Sequence, residues 1–247
     1  MPVVAGNLPV AGCRATLADM AVAVRPRPTR RRLRPGHRLL RYDRGLGARF
    51  VAGADEAGRG ALAGPLVAAA VLFDYDRLQG RVCAPLAQLD DSKTRTLAQR
   101  EELYDAVLAC AVRVSVIVAP APEVDRRGVH RANLAALARA LRGLDAPAGS
   151  LLLSDGFRVP LEREHRAIIG GDGTSAAIAA ASIIAKVSRD RLMRRVHGAY
   201  PLYGFDGHVG YSTPQHRDAL RSHGPCPLHR RSFATVGALQ LSLLVDC

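Results

Sequence analysis

Two apolar stretches separated by a glycine-rich segment set the architecture of this 247-residue chain. Phe50 to Ala54 and Leu66 to Phe73 are rich in small and β-branched apolar residues, a pattern typical of buried strands. The segment between them contains Gly58, Gly60 and Gly64, which permit a sharp change of direction. We therefore predict a hairpin whose strands lie in a core.

The rest of the chain alternates between helical and extended patterns. The predicted helices cover Thr94 to Cys110, Val129 to Leu144, Ser175 to Val196 and Pro214 to Ser222. The predicted strands that follow the hairpin cover Val112 to Val118 and Leu151 to Ser154. Strands that pair first and then alternate with helices indicate an α/β fold with a mixed central sheet flanked by helices and a helical C-terminal portion.

Charge is concentrated at the N-terminus. The net charge is +13, and residues 1–50 hold 11 Arg against only Asp19 and Asp43. We expect a basic, flexible leader over residues 1–47, a catalytic domain over 48–236 and a tail over 237–247. The leader is either a solvated segment, an overlong start to the reading frame, or an arm that strengthens nucleic-acid binding.

Several locations are disfavoured by the same sequence. The longest apolar stretch, Ala61 to Phe73, is too short for a membrane helix and contains Gly64 and Pro65. The N-terminus lacks the basic and apolar regions of a secretion signal. The five cysteines are scattered and odd in number, as expected for reduced thiols. We expect a cytoplasmic monomer that does not contact a membrane.

Four acids beside glycines are candidate metal ligands. Asp55 and Glu56 follow an apolar strand, and adjacent carboxylates there repel each other unless a cation or proton lies between them. Successive strand residues face opposite sides, so both reach one ion only if Glu56 is already past the strand end. Asp155 and Asp172 stand in similar places, and oxygen ligands suit Mg²⁺ or Mn²⁺.

Other interpretations of the acids remain open. An Asp-Gly pair taken alone is typical of a turn. Asp90 and Asp91 are rival ligands, whereas Glu101, Glu102 and Asp190 lie in helical stretches that favour solvated or ion-paired roles.

Six ordered blocks resemble the ribonuclease HII family and together extend over about residues 49–236. They are residues 53–65, 91–93, 155–160, 171–172, 178–190 and 203–216. The resemblance implies an RNase H-like fold and an endonuclease that cuts the RNA strand of RNA/DNA hybrids and single ribonucleotides in duplex DNA. It further implies two-metal hydrolysis with Mn²⁺ or Mg²⁺, 5′-phosphate and 3′-hydroxyl products, and catalysis and metal binding by Asp55, Glu56, Asp155 and Asp172.

The same resemblance implies a set of substrate contacts. Gly58, Arg59 and Gly60 correspond to the family's contact with the ribose 2′-hydroxyl, although a plain tight turn is the alternative. Tyr211 corresponds to a tyrosine that stacks on the neighbouring sugar at an RNA-to-DNA junction, with a core tyrosine as the alternative. Ser182 also falls within a matching block.

Of the 35 basic residues of the chain, only two are lysines, and both fall in blocks that resemble the family. Lys93 is a candidate phosphate contact. Lys186 lies far enough along its helix to favour a phosphate beside the scissile one, and its alternative is an ion pair with Asp190. An ammonium and a guanidinium are not equivalent beside a phosphate, so Lys-to-Arg substitution is expected to weaken activity.

The chain departs from the family pattern at two positions. Val209 stands where a lysine is usual, which removes a candidate phosphate contact, and Thr235 stands where a proline is usual. Four histidines in this region have no regular ligand spacing, which favours structural or nucleic-acid roles over metal binding. They are His208, His216, His223 and His229.

Two further hypotheses concern partners and rival functions. Gln240 to Leu244 resembles the pentapeptide by which bacterial proteins bind the replication sliding clamp, and packing of an apolar tail on the domain is its alternative. A ribonuclease HIII-like enzyme or a Holliday-junction resolvase fits the order of the blocks less well. A non-catalytic hybrid-binding module gives no reason to gather acids that would repel a polyanion.

Overall fold

The computed structural model describes residues 35–89 and 96–238. Its strands are β1 Phe50–Ala57, β2 Leu66–Asp74, β3 Arg113–Ala119, β4 Leu151–Asp155 and β5 His165–Ile168. They form a mixed sheet in the spatial order β3-β2-β1-β4-β5. β2 is antiparallel to both β1 and β3, whereas β4 is parallel to β1 and β5 is parallel to β4. The predicted hairpin is therefore the antiparallel half of the sheet.

Helices cover both faces of this sheet. They are α1 Pro35–Gly45, α2 Leu97–Cys110, α3 Ala121–Arg127, α4 Val129–Gly143, α5 Ala176–His197, α6 Phe205–His208 and α7 Pro214–His223. Residues of α5 and α4 pack in two separate apolar clusters, on opposite faces of β1 and β2. A third cluster joins the end of α5 to α6 and α7. The predicted α/β fold with a helical C-terminal portion is confirmed.

Small residues bring α5 into direct contact with the sheet. A Cβ added to Gly53 would lie 2.2 Å from the backbone nitrogen of Ile178, so the helix backbone touches β1. Ser175 caps the helix by accepting a hydrogen bond from the Ile178 backbone N–H. This close packing fixes the side chains of α5 relative to the acids on β1.

The structure corrects the predicted leader. Residues 35–45 form α1, and Leu39 and Leu40 are buried in the core. The buried Asp43 carboxylate accepts hydrogen bonds from the Tyr75 hydroxyl at 2.6 Å and the Ala177 N–H at 2.9 Å. The predicted boundary at residue 47 is wrong for this segment, because the arginines among its residues obscured an apolar face that packs on the domain.

Further differences concern lengths and short elements. β1 continues through Asp55 and Glu56 to Ala57, which pairs with Val67, so the first strand does not end at Ala54. α3, β5 and α6 were not predicted, because each is too short to show a periodic pattern. Asp90, Asp91 and Lys93 lie outside the described residues. No helix within residues 35–89 and 96–238 is long and apolar enough to cross a membrane.

Candidate active site

The candidate site lies where two parallel strands part. The pairing of β1 with β4 ends at Ala54 and Ser154, and the next residue on each strand is an acid. An open cavity of about 550 Å³ lies beside these acids. It is lined by Asp55, Glu56, Ala57, Gly58, Arg59, Gly60, Arg100, Asp155, Ser182, Lys186 and Tyr211. Nine of the predicted site residues therefore face one cavity.

Asp55 is the most deeply buried of these acids. Burial raises the pKa of its carboxyl well above the ordinary value, and the charges of Glu56 and Asp155 raise that pKa further. A hydrogen bond from the Ser182 side chain opposes this rise. The buried site therefore disfavours the ionised form of Asp55 unless a cation offsets its charge.

Glu56 occupies the opposite face of β1. Its carboxylate faces the buried amide of Asn133 on α4, whereas Asp55 faces Ser182 on α5. Burial raises the pKa of Glu56, and Asn133 and then Arg59 counteract the rise. The expectation that Glu56 lies past the strand end is wrong. Both acids reach one cavity because the neighbouring strand β4 has already separated from β1.

Asp155 and Asp172 are joined through the backbone. The Asp155 carboxylate accepts a hydrogen bond of 2.6 Å from the N–H of Gly171, the residue before Asp172. Asp172 accepts from the Gly173 N–H at 3.0 Å within a 3₁₀ turn over Gly171–Gly173. Asp172 is thus adjacent to the carboxylate group but does not line the cavity.

The donor set suits a hard divalent cation. Three carboxylates converge on the cavity, and the charges of Glu56 and Asp155 raise the pKa of Asp55. Carboxylate oxygens are the ligands that Mg²⁺ and Mn²⁺ prefer. Across the described part of the chain, no group of three or more His, Cys, Asp or Glu is arranged so that it could already hold a metal ion. The acids therefore fit a metal through the chemistry of their oxygen atoms and not through a preformed cage.

Gly58 and Gly60 have different reasons to be glycine. Gly58 has φ +85°, and a Cβ there would lie 1.9 Å from Nε of Arg189, so the fold itself requires glycine. A Cβ at Gly60 meets no atom within 4 Å. The tight-turn interpretation is correct for Gly58. Gly60 instead leaves open space beside the cavity, where the backbone is accessible to a ligand.

Two buried arginines lie behind this loop. Arg230 donates to the carbonyls of Gly64 and Arg59 at 2.9–3.1 Å. Arg189 donates to the carbonyls of Pro65, Ala63 and Val209 at 2.9–3.1 Å. Burial lowers the pKa of both guanidinium groups. These bonds hold the backbone on which Gly58, Arg59 and Gly60 stand.

Lys186 and Tyr211 lie together on the other side of the cavity. Lys186 Nζ donates to Asp190 at 2.9 Å, so the predicted ion pair is present. The same nitrogen lies 5.1 Å from the centroid of the Tyr211 ring, within reach of a cation–π interaction. Both residues line the cavity, and Tyr211 is partly buried and also packs against the third apolar cluster.

Sequence reasoning missed two residues of the site. Arg100 on α2 lines the cavity with Arg59 and Lys186, giving three cations beside three carboxylates. Asn133 on α4 is buried and faces Glu56. Arg100 carried no distinguishing signal in an arginine-rich chain. A polar residue on the apolar face of a predicted helix was the available signal for Asn133.

Comparisons with known proteins agree with this site. The family model described as Ribonuclease HII matches residues 52–236. The ribonuclease HII of Rhodococcus erythropolis is 52% identical over 200 residues, covering 81% of this chain and 85% of that protein. Ribonuclease H2 from Pyrococcus horikoshii has a similar structure, with a TM-score of 0.68 at 27% identity that covers 79% of this chain and 99% of that one.

A solved PCNA:RNase HII complex from Archaeoglobus fulgidus is also similar, with a TM-score of 0.59, 27% identity and coverage of 73% of this chain and 93% of that chain. The fold and site thus define a hydrolytic nuclease with an RNase H-like fold. The chain belongs to the ribonuclease HII family. Its reaction is endonucleolytic hydrolysis of the RNA strand of RNA/DNA hybrids, in a family that depends on divalent metal.

Proposed function

We propose that this enzyme also incises duplex DNA at single embedded ribonucleotides. Recognition of one ribonucleotide requires contact with its 2′-hydroxyl and with the adjoining deoxyribose. The observation that carries the proposal is the juxtaposition, in one cavity, of three carboxylates with the open backbone at Gly60 and the Tyr211 ring. A single nucleotide spans such a cavity, so cleavage and sugar recognition are coupled there.

The proposed metal ligands are Asp55, Glu56, Asp155 and Asp172, with Mg²⁺ or Mn²⁺ as the ions. When bound, two such ions supply an attacking water of lowered pKa and stabilise the leaving 3′-oxygen, which gives 5′-phosphate and 3′-hydroxyl ends. The chain's own groups then orient this chemistry. Ser182 donates a hydrogen bond to Asp55, and the buried amide of Asn133 faces Glu56 and counteracts the rise in its pKa.

Cations on the cavity wall are proposed to hold the substrate backbone. Lys186 and Arg100 face the cavity, and each offers donors to a phosphate beside the scissile one. Lys93, outside the described residues, is proposed for a similar contact. Arg59 lies 3.9 Å from Glu56 and over the Phe157 ring, and its carbonyl already accepts from Arg230, so the ribose contact is proposed for the exposed backbone of Gly60.

The test uses two substrates and one glycine variant. A duplex with one embedded ribonucleotide and a uniform RNA/DNA hybrid are each cleaved with Mg²⁺ or Mn²⁺. We expect Gly60→Ala to fold normally and to lose at least about tenfold in activity, since the added methyl group occupies the space proposed for the ribose. Equal activity of Gly60→Ala and wild type on both substrates would contradict the ribose contact.

Tyr211 has a separate test. We expect Tyr211→Ala to lose preference for the single-ribonucleotide duplex over the uniform hybrid, whereas Tyr211→Phe retains the ring and the preference. A wild-type enzyme that cuts only the uniform hybrid would contradict the proposed incision of embedded ribonucleotides.

Clamp binding is proposed for Gln240 to Leu244, which lies outside the described residues. Its support is the resemblance of this pentapeptide to a clamp-binding motif. The solved Archaeoglobus fulgidus complex, in which an RNase HII is paired with PCNA, supports it further. Deletion of residues 240–247 is expected to abolish pull-down by the bacterial clamp without altering hybrid cleavage. Undiminished pull-down would contradict the proposal.

A further inference from the structure

Three histidines form a buried cluster next to the substrate cavity. His208, His216 and His229 are all buried, and the rings of His208 and His216 stack with centroids 4.4 Å apart. Phe205 and Tyr203 contact the cluster through their ring faces and edges. This group is separate from the carboxylates and contributes no residue to the cavity lining.

The hydrogen bonds of the cluster determine where each ring carries its proton. A backbone carbonyl can only accept, so Nδ1 of His216 must donate to the carbonyl of Tyr211, 3.0 Å away. Nε2 of His216 is then an acceptor, and Nε2 of His229, also 3.0 Å away, donates to it. In a neutral ring Nδ1 of His229 then accepts from the Cys226 N–H at 3.0 Å and donates nothing to the Cys226 carbonyl, which lies 3.3 Å from the same nitrogen. The three bonds form one directed chain that ends on Tyr211.

His208 forms hydrogen bonds to the backbone on both sides of it in the chain. Its Nδ1 accepts from the Gly210 N–H at 3.1 Å, so its Nε2 donates to the carbonyl of Tyr203 at 2.6 Å. The hydrogen bonds thus assign one donor nitrogen and one acceptor nitrogen to each ring. Burial lowers the pKa of His216 and of His229 to about 4, which keeps these rings neutral under physiological conditions.

The segment between these histidines is strained. Val209 has φ +45°, an unfavourable conformation for a β-branched residue. Gly210 has φ +86°, and a Cβ there would lie 2.4 Å from the Ala63 carbonyl oxygen. Such a backbone persists only where surrounding bonds hold it. His208 accepts a hydrogen bond from the Gly210 N–H, and His216 donates one to the Tyr211 carbonyl, so both rings restrain this strained backbone.

We infer that the His229–His216 chain, together with His208, is a positioning device that fixes the Tyr211 backbone and so directs its ring into the cavity. The inference rests on the proposed role of Tyr211 at the RNA-to-DNA junction. None of the three histidines touches the cavity, so they act through Tyr211 and not on the substrate. The observed contributions of the three histidines are their hydrogen bonds and the packing of their rings.

Two substitutions at His216 separate positioning from a general effect on folding. In His216→Asn, the amide nitrogen lies near the former Nδ1 and still donates to Tyr211. In His216→Gln, the amide reaches the former Nε2 position and still accepts from His229, but the donor to Tyr211 is lost. Both variants remove the same ring. We expect His216→Asn to retain junction preference within about twofold and His216→Gln to lose about tenfold, the effect of one buried hydrogen bond.

The readout is the ratio of cleavage of the single-ribonucleotide duplex to cleavage of the uniform hybrid, with wild type and Tyr211→Ala as references. Equal ratios for the two His216 variants overturn the inference, because a purely structural role affects both alike. If Tyr211→Ala loses the ratio but His216→Gln keeps it, the histidine inference fails and the proposed function stands. If Tyr211→Ala itself keeps the ratio, the proposed role of Tyr211 fails and the positioning role fails with it.

Nitrogen-15 NMR of the wild-type rings tests the chain independently of activity. We expect His216 to be protonated at Nδ1, and His208 and His229 at Nε2. A different set of tautomers would overturn the inference whatever the cleavage assays show.

Discussion

Two polar clusters, the acids that line the cavity and the buried histidines, differ in how closely like charges are brought together. The charges of Glu56 and Asp155 raise the pKa of Asp55, and the charge of Asp155 raises the pKa of Glu56. His216 and His229, by contrast, are neutral and paired through a complete chain of hydrogen bonds. Clustered like charges with raised pKa thus mark the candidate active site, and a fully hydrogen-bonded network marks the neighbouring scaffold.

The two clusters also respond to pH in opposite directions. A raised carboxyl pKa means that the folded state holds its proton more tightly than the unfolded state, so stability decreases as pH rises above the ordinary value of 3.8. A lowered imidazole pKa means the reverse, so stability decreases as pH falls below 6.5. The metal-free protein is therefore destabilised by its acids at high pH and by its histidines at low pH.

The largest expected effect is on the acidic cluster. We predict that Asp155→Asn reduces hybrid cleavage by about a thousandfold or more, because one charged, proposed metal ligand is lost. Steady-state cleavage of a uniform RNA/DNA hybrid measures it. Asp125→Asn is the matched control, since Asp125 does not line the cavity and accepts from Ser232 instead. Activity of Asp155→Asn within tenfold of the control would contradict the catalytic role proposed for Asp155.

The histidine cluster gives the next largest effect. The pKa of His216 and of His229 is about 4 when folded and 6.5 when unfolded, so stability is lost as pH falls from 6.5 towards 4. The loss is on the order of 3 kcal/mol for each ring. Urea unfolding across this pH range measures it, and His223→Gln, at an exposed histidine, is the control. A pH dependence that is unchanged in His229→Gln would show that these rings are not its source.

The buried arginines also stabilise the Gly58–Pro65 loop, because they donate hydrogen bonds to its backbone carbonyls. Arg230→Met leaves the carbonyls of Arg59 and Gly64 without these donors, and we predict a loss of about 2 kcal/mol in unfolding free energy. Arg231→Met removes an exposed neighbour and serves as the control. Equal stability of the two variants would mean that these hydrogen bonds contribute little.

The smallest expected effect tests the cation at the edge of the acidic cluster. Lys186→Arg keeps the charge but replaces a compact ammonium beside Asp190 with a planar guanidinium. We predict a several-fold loss of activity, on the order of 1 kcal/mol. Asp190→Asn shows whether the ion pair itself matters. Full activity in Lys186→Arg would indicate that lysine has no special role at this position.

The sequence predicted the helices and strands more accurately than the long-range contacts between them. Periodicity located β2 and α5 to within about two residues, because long apolar patterns report burial directly. It missed α1, whose buried Leu39 and Leu40 stand among arginines that resemble a solvated arm. Long-range packing, which a local pattern does not carry, decides that segment.

The candidate site shows the same contrast between features that the sequence predicts and features that depend on long-range packing. The six ordered blocks grouped nine residues that share one cavity, because a resemblance carries spatial information that composition lacks. The blocks did not reveal that Asp55 and Glu56 approach from opposite faces of β1, since that depends on where β4 parts from β1. Asn133 was missed because its contact with Glu56 joins elements about 77 residues apart along the chain.

The most direct test of the contrast between the clusters is thermal unfolding of wild type and Asp55→Asn, with and without Mn²⁺, near neutral pH. Without metal, we predict that Asp55→Asn unfolds at the higher temperature, because it removes a buried, uncompensated charge. With saturating Mn²⁺ the order reverses, because wild type gains more binding free energy. If wild type is the more stable protein under both conditions, the like charges of the acids do not destabilise the metal-free protein.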